Sequence, residues 1–154
     1  MSTEHKYLLD ASAFANVLPL ISAEKVRDSA EVKLFITQLT PFEVGNAFWK
    51  LYIRGELEVD EVITLIELMQ ELIEYGAINI IQVNEFSKIM ELVLRRKITY
   101  YDASYLYAAK KLGLTLVTDD NGLKTNAKVE NIEVIDTAKL RKQHQKYFIM
   151  TSQD

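Results

Sequence analysis

Five short apolar runs, separated by longer stretches of helical character, constrain this chain more than any other feature. Tyr7-Leu8-Leu9, Lys33-Leu34-Phe35-Ile36, Ile78-Asn79-Ile80-Ile81, Leu114-Thr115-Leu116-Val117 and Ile132-Glu133-Val134-Ile135 are largely apolar rather than alternating. Runs of that kind suit strands covered on both faces. Between them, helical character runs from Ala11 to Leu18 until Pro19, over a short stretch from Ile21 to Asp28, and from Thr40 to Arg54. It continues from Val59 to Tyr75 with a stop at Gly76, from an Asn84 cap through Lys97, and from Thr99 to Leu112 with a stop at Gly113. Thr40-Pro41-Phe42-Glu43 predicts a hydroxyl at the N-cap, proline at the first helical position and glutamate at the third, with Gly55 beyond the other end. Thr99-Tyr100-Tyr101-Asp102 is a second start of the same kind, and Thr137 predicts the cap of a C-terminal helix. The repeating order of strand and helix predicts an α/β fold, a parallel sheet of about five short strands between two helical layers.

No Gly/Ser-rich or Pro-rich linker and no repeat interrupts the 154 residues. We therefore expect one domain over 1–154, with its core over about 6–136 and a basic C-terminal helix or tail over 137–154. The absence of cysteine excludes disulfide frameworks, thiolate zinc sites, iron–sulfur clusters and cysteine nucleophiles. His5 and His144 lie near opposite ends of the chain, so a histidine-based zinc site would require the termini to meet. That leaves carboxylates as the metal ligands available. No apolar run approaches the ~20 residues of a membrane span, and the polar start Ser2-Thr3-Glu4-His5-Lys6 lacks the apolar segment of a secretory signal. The expectation is a cytoplasmic protein with no membrane partner.

The acids fall at element junctions. Asp10 directly follows the first strand, Glu43 and Asp102 lie in first turns of helices, and Asp120 follows the fourth strand. In a parallel sheet the loops at the carboxyl ends of the strands converge on one crevice. Carboxylates gathered there repel one another and call for a hard divalent cation, Mg²⁺ or Mn²⁺. Each acid also has a local explanation. Asp10, Glu43 and Asp102 suit helix starts, and Asp119-Asp120-Asn121-Gly122 reads as an exposed turn. The set of four carries more weight than any member.

The motifs Tyr7-Leu8-Leu9-Asp10-Ala11-Ser12, Leu39-Thr40-Pro41-Phe42-Glu43-Val44, Tyr101-Asp102-Ala103-Ser104-Tyr105 with Ala108-Ala109, and Leu116-Val117-Thr118-Asp119-Asp120 together resemble the PIN-domain family, and within it the VapC toxins. The likeness extends over residues 6–136 in matching order and spacing. It implies a PIN-like α/β/α fold and a metal-dependent endoribonuclease, in which Asp10, Glu43, Asp102 and Asp120 hold one or two Mg²⁺ or Mn²⁺ ions. The family's last motif reads Thr-x-Asp, which matches Thr118 and Asp120 and leaves Asp119 in the variable place. Ser12 and Thr118 match hydroxyl positions beside the acids, where they either orient a carboxylate or a water or bond local backbone. In the mechanism so implied, a metal-activated water attacks phosphorus and no side chain serves as nucleophile. Two other readings stay open: a PIN nuclease of RNA processing or turnover without an antitoxin, and an inactive PIN-like module that binds RNA or protein. A haloacid-type phosphatase is disfavoured, because Asp10-Ala11-Ser12 lacks a second Asp two residues on.

Net charge is −4, yet residues 1–85 carry 14 acids against 6 Lys/Arg while 86–154 carry 8 against 12. The basic half is the expected RNA-binding side, with Arg95, Arg96 and Lys97 placed just ahead of Asp102. The acidic half carries an apolar excess. Phe42, Trp49 and Ile53 lie off the stripe formed by Val44, Phe48 and Leu51, and the helix over 59–75 has an unusually wide apolar arc. By resemblance, a VapB-like antitoxin and a second copy of the chain are the expected partners, with these helices contributing.

Overall fold

The computed structural model describes residues 3–151. Five strands form one sheet: β1 (His5–Leu9), β2 (Val32–Thr37), β3 (Ile78–Ile81), β4 (Thr115–Val117) and β5 (Val134–Ile135). All pair in parallel in the order β3-β2-β1-β4-β5, with Tyr7 registered against Leu34 on one side and Thr115 on the other. The helices among the described residues are α1 (Ala11–Val17), α2 (Ala23–Arg27), α3 (Thr40–Ile53), α4 (Val59–Tyr75), α5 (Phe86–Arg96), α6 (Tyr100–Leu112), α7 (Asn121–Val129) and α8 (Thr137–Gln143).

The strands divide their side chains between two cores, which is why their sequences show no polar face. Tyr7, Leu9, Leu34, Ile36, Ile78 and Val117 pack with Phe14 and Val17 of α1, Val44 and Phe48 of α3, and Met69 and Leu72 of α4. Leu8 and Leu116 point the other way, into Ile89 and Leu92 of α5, Ala103, Tyr105 and Leu106 of α6, and Leu123 and Ala127 of α7. The result is the three-layer α/β/α arrangement expected from the sequence. The chain leaves β1 toward β2 and β3, then returns to the other side of β1 as β4. That reversal opens a crevice at the carboxyl ends of β1 and β4.

Several helix boundaries fall where the sequence predicts. α4 covers Val59–Tyr75 and ends at Gly76 with φ 87°, a left-handed conformation that glycine adopts without a Cβ penalty. Thr99 caps α6 by accepting the Asp102 N–H at 3.1 Å. Four local readings are corrected. Thr40 is not the N-cap of α3: Leu39 occupies that place, and the Thr40 hydroxyl turns inward to Thr37 and Tyr105. Glu85 rather than Asn84 precedes α5, and its carboxylate leaves the helix end for Tyr107 and Lys111. Asp136 rather than Thr137 caps α8, accepting the Lys139 N–H at 2.8 Å. The apparent turn after Asp120 is the start of α7, with Asp120 as its cap.

The C-terminal segment folds back on the body. Phe148 bridges Ile21, the Tyr147 carbonyl accepts from Ser22 N–H, and buried His144 bonds the Tyr7 hydroxyl through Nε2 at 2.6 Å. Residues 152–154 of the expected tail lie outside the described residues. The histidines do meet, with ring centroids 5.2 Å apart. They do so at the start of β1, the edge opposite Asp10, and are committed to packing with Tyr7. No described helix is long and apolar enough to cross a membrane.

Candidate active site

Asp10 is the first residue past β1 and is almost fully buried. Its backbone N–H continues the sheet by donating to Val117 O, which pins the residue against the end of β4. Its carboxylate accepts three hydrogen bonds: Ser12 Oγ and Ala13 N–H on Oδ1, both at 2.8 Å, and Thr118 Oγ1 on Oδ2 at 2.5 Å. These donors favour the charged form, but burial outweighs them and the Asp119 charge adds to it, so the pKa of Asp10 lies above the ordinary range. Ser12 and Thr118 therefore both orient this carboxylate, and each also binds backbone. Thr118 Oγ1 accepts the Asp120 N–H at 3.1 Å, and Ser12 Oγ accepts that of Asp119 at 3.4 Å.

The other acids lie at the same edge. Glu43 stands in the first turn of α3, half-buried, with Oε1 accepting the Tyr105 hydroxyl at 2.9 Å. Burial pushes its pKa up, the tyrosine bond opposes that, and the charges of Asp10 and Asp102 push it further. Asp102, in the first turn of α6, is raised by burial first and then by the charges of Asp120 and Asp10, against the Thr99 hydroxyl. Asp120 is exposed and caps α7, with Oδ1 accepting the Leu123 N–H at 2.7 Å. Gly122 permits this placement, since a Cβ there would meet Asp120 Oδ1 at 3.2 Å. Asp10, Glu43, Asp102 and Asp120 thus form one electrostatic group at the crevice between β1 and β4.

Among the described residues, no three acidic or histidine side chains close around a common point as they stand. The carboxylates rest on separate local partners, the arrangement expected of like charges held near one another. Their donor chemistry, all oxygen with two carboxylates half-buried and one nearly fully buried, fits Mg²⁺ or Mn²⁺.

Asp119 turns away from the group. It accepts from Asn16 Nδ2 at 2.5 Å and from the Thr137 N–H and hydroxyl, and so ties the end of β4 to α1 and α8. Arg95 and Arg96 are also engaged. Arg95 pairs with Glu130 at 2.6 Å and Arg96 Nε donates to Asn126 Oδ1 at 3.1 Å, both fastening α5 to α7. Lys97 closes α5 with φ 56°.

Sequence reasoning passed over Tyr105 and the inward role of Thr40. Their contact spans 65 positions, and no local pattern announces it. It also missed the open groove of about 670 Å³ beside Glu43, lined by Ala11, Phe42, Asn46, Lys50 and Tyr101 among others.

The model of the PIN domain matches residues 7–129, and the chain belongs to the PIN-domain family. It is 34% identical over 124 residues to Exonuclease VapC9 of Pyrobaculum aerophilum, covering 80% of this chain and 86% of that protein. It is 30% identical over 125 residues to Ribonuclease VapC3 of the same organism, covering 77% and 92%. The crystal structure of PAE2754 from Pyrobaculum aerophilum superposes with a TM-score of 0.71 at 28% identity, covering 93% of this chain and 97% of that one.

Proposed function

We propose that the protein is a VapC-like toxin, a metal-dependent endoribonuclease whose site is Asp10, Glu43, Asp102 and Asp120. The observation that carries this reading is the convergence of these acids, from the end of β1 and the starts of α3, α6 and α7, at the topological switch point of the sheet. The names of the two VapC relatives, an exonuclease and a ribonuclease, support its nuclease part. One or two Mg²⁺ or Mn²⁺ ions bound there would activate water and offset the charge developing on a phosphodiester.

The residues divide the work of holding that chemistry in place. Asp10 is the anchor, because three donors and the continued sheet bond leave its carboxylate one orientation. Asp102 and Glu43 approach from two helix N-termini, whose dipoles favour their ionised forms. Asp120 completes the set from a third. Phe42 and Tyr101 offer exposed aromatic faces beside the acids and Lys50 a cation, which suits unstacked bases and a phosphate of single-stranded RNA. The commitments of Arg95 and Arg96 to Glu130 and Asn126 favour this groove over them as the substrate path.

This reading also carries a VapB-like antitoxin and a second copy of the chain as partners. Supporting the antitoxin, Trp49, Ile53, Val59 and Ile63 are exposed at the tip of the α3–α4 hairpin. The nuclease reading is tested by incubating purified protein with single-stranded RNA and Mg²⁺ or Mn²⁺, with and without EDTA. Internal cleavage that EDTA abolishes and that Asp10→Asn and Asp102→Asn lose is the expected result. Equal cleavage by wild type and variants overturns the site.

A further inference from the structure

The Tyr105 ring is buried in α6, yet its hydroxyl emerges among polar partners. It donates to Glu43 Oε1 at 2.9 Å and lies 2.7 Å from Thr40 Oγ1. A phenol has one proton and an ionised carboxylate has none to give. Tyr105 therefore keeps its proton and points it at Glu43, and Thr40 must donate to Tyr105. Thr40 Oγ1 in turn accepts the Thr37 N–H at 3.0 Å and lies 3.2 Å from Thr37 Oγ1, whose proton is the one left for that contact. Thr37 Oγ1 accepts the Leu39 N–H at 3.2 Å. Every hydroxyl proton in this chain points one way, from Thr37 to Thr40 to Tyr105 to Glu43. Aligned bonds polarise one another and strengthen the last.

The chain joins three elements. Thr37 ends β2, Thr40 and Glu43 open α3, and Tyr105 sits on α6 three residues after Asp102, on the same helical face. Asp10 is short and gripped by its own neighbours. Glu43 has an extra methylene and stands at a partly open helix start, where it would otherwise sample several rotamers.

We propose that Tyr105 is a positioning residue: its hydroxyl, oriented by Thr40, holds the Glu43 carboxylate in place relative to Asp102 for a divalent cation. This rests on the metal-nuclease reading above. The test is Mn²⁺ titration of the metal-stripped full chain by calorimetry, for wild type, Tyr105→Phe, Glu43→Ala and the double variant, with melting curves to check the fold. Tyr105→Phe should weaken Mn²⁺ binding by about tenfold, as supporting residues of metal ligands do, and should lower kcat for RNA with KM unchanged. In the Glu43→Ala background it should add nothing, because the tyrosine acts through that carboxylate. Thr40→Val should shift Mn²⁺ affinity the same way and Thr40→Ser restore it, which carries the test if Tyr105→Phe folds poorly. Unchanged affinity in Tyr105→Phe, or an equal loss in both backgrounds, overturns this proposal alone. A wild type that neither binds Mn²⁺ nor cleaves RNA overturns the nuclease reading and the proposal together.

Discussion

At the scale of single residues, the acids at the β1–β4 crevice are held where burial and one another's charges oppose their ionisation. Asp102 shows the conflict plainly, since burial and the charges of Asp120 and Asp10 raise its pKa above the unfolded value. A carboxyl whose folded pKa is raised binds its proton more readily in the folded state. Its favourable contribution is therefore present at low pH and is lost as pH rises through the folded pKa. Asn cannot ionise, so Asp102→Asn should melt a few degrees above wild type at pH 7 in EDTA. The gap should close as the pH is lowered past the ordinary Asp range near 4. Adding Mn²⁺ should reverse the order, because a ligand stabilises the form that binds it. Thermal unfolding at pH 7 and pH 4, with EDTA or Mn²⁺, reads all three. A lower melting temperature for Asp102→Asn at pH 7 in EDTA would show that the carboxylates do not repel.

At the scale of elements, the helical layer formed by α5, α6 and α7 is fastened by charge at its surface. Glu130, at the C-cap of α7, receives Arg95 of α5 at 2.6 Å and Lys110 of α6 at 3.6 Å. The Arg95 hydrogen bond is the main cause of its depressed pKa. Depression works in the opposite sense to Asp102: the stability it contributes is present above the unfolded Glu value and is lost as pH falls through the lower folded one. Glu130→Gln should therefore cost about 1 kcal/mol at pH 7, a modest figure because both cations are largely exposed, and less at pH 3, below the unfolded Glu value. Chemical denaturation of both proteins at the two pH values checks it. Arg95 also shows what a sequence can reveal at this scale. Its charge and its position ahead of Asp102 are visible in the chain, but Glu130 lies 35 positions away and only the fold joins them. The same limit governs the caps. Thr99 bonds three residues on and was legible, whereas the pattern around Thr40 is identical and the hydroxyl goes to Tyr105 instead. The succession of strands and helices along the chain and the acids at their junctions were legible because local periodicity marks both. α7 was not, because Asn121-Gly122 imitates a turn while Asp120 supplies a helix cap.

At the scale of the whole molecule, the exposed apolar residues form two groups of different electrical character. Around the α3–α4 tip, Trp49, Ile53, Val59 and Ile63 are surrounded by exposed Glu56, Glu58, Asp60 and Glu61, which outnumber the exposed Lys50 and Arg54 and leave the patch net negative. A surface of that sign repels its own copy and suits a basic partner segment, the antitoxin of the proposed function. The second group is one the sequence reading did not single out. Phe86, Met90 and Leu94 recur every fourth residue along α5, opposite buried Ile89 and Leu92, with 62%, 43% and 72% of their surface exposed. The charged residues Lys88, Glu91 and Arg95 lie off this stripe, toward α6 and the end of α7, so it can face itself across a two-fold axis without repulsion. The proposed homodimer is therefore expected to close on α5. Apolar anchors at such interfaces are worth roughly 2 kcal/mol each, so Met90→Lys with Leu94→Lys should weaken self-association about a thousandfold. Size-exclusion chromatography with light scattering should then find the monomer mass, with a melting temperature near that of a wild-type monomer because both positions are exposed. Ile53→Lys with Ile63→Lys should leave the dimer mass unchanged and remove antitoxin binding. The opposite pattern of masses would exchange the two surfaces.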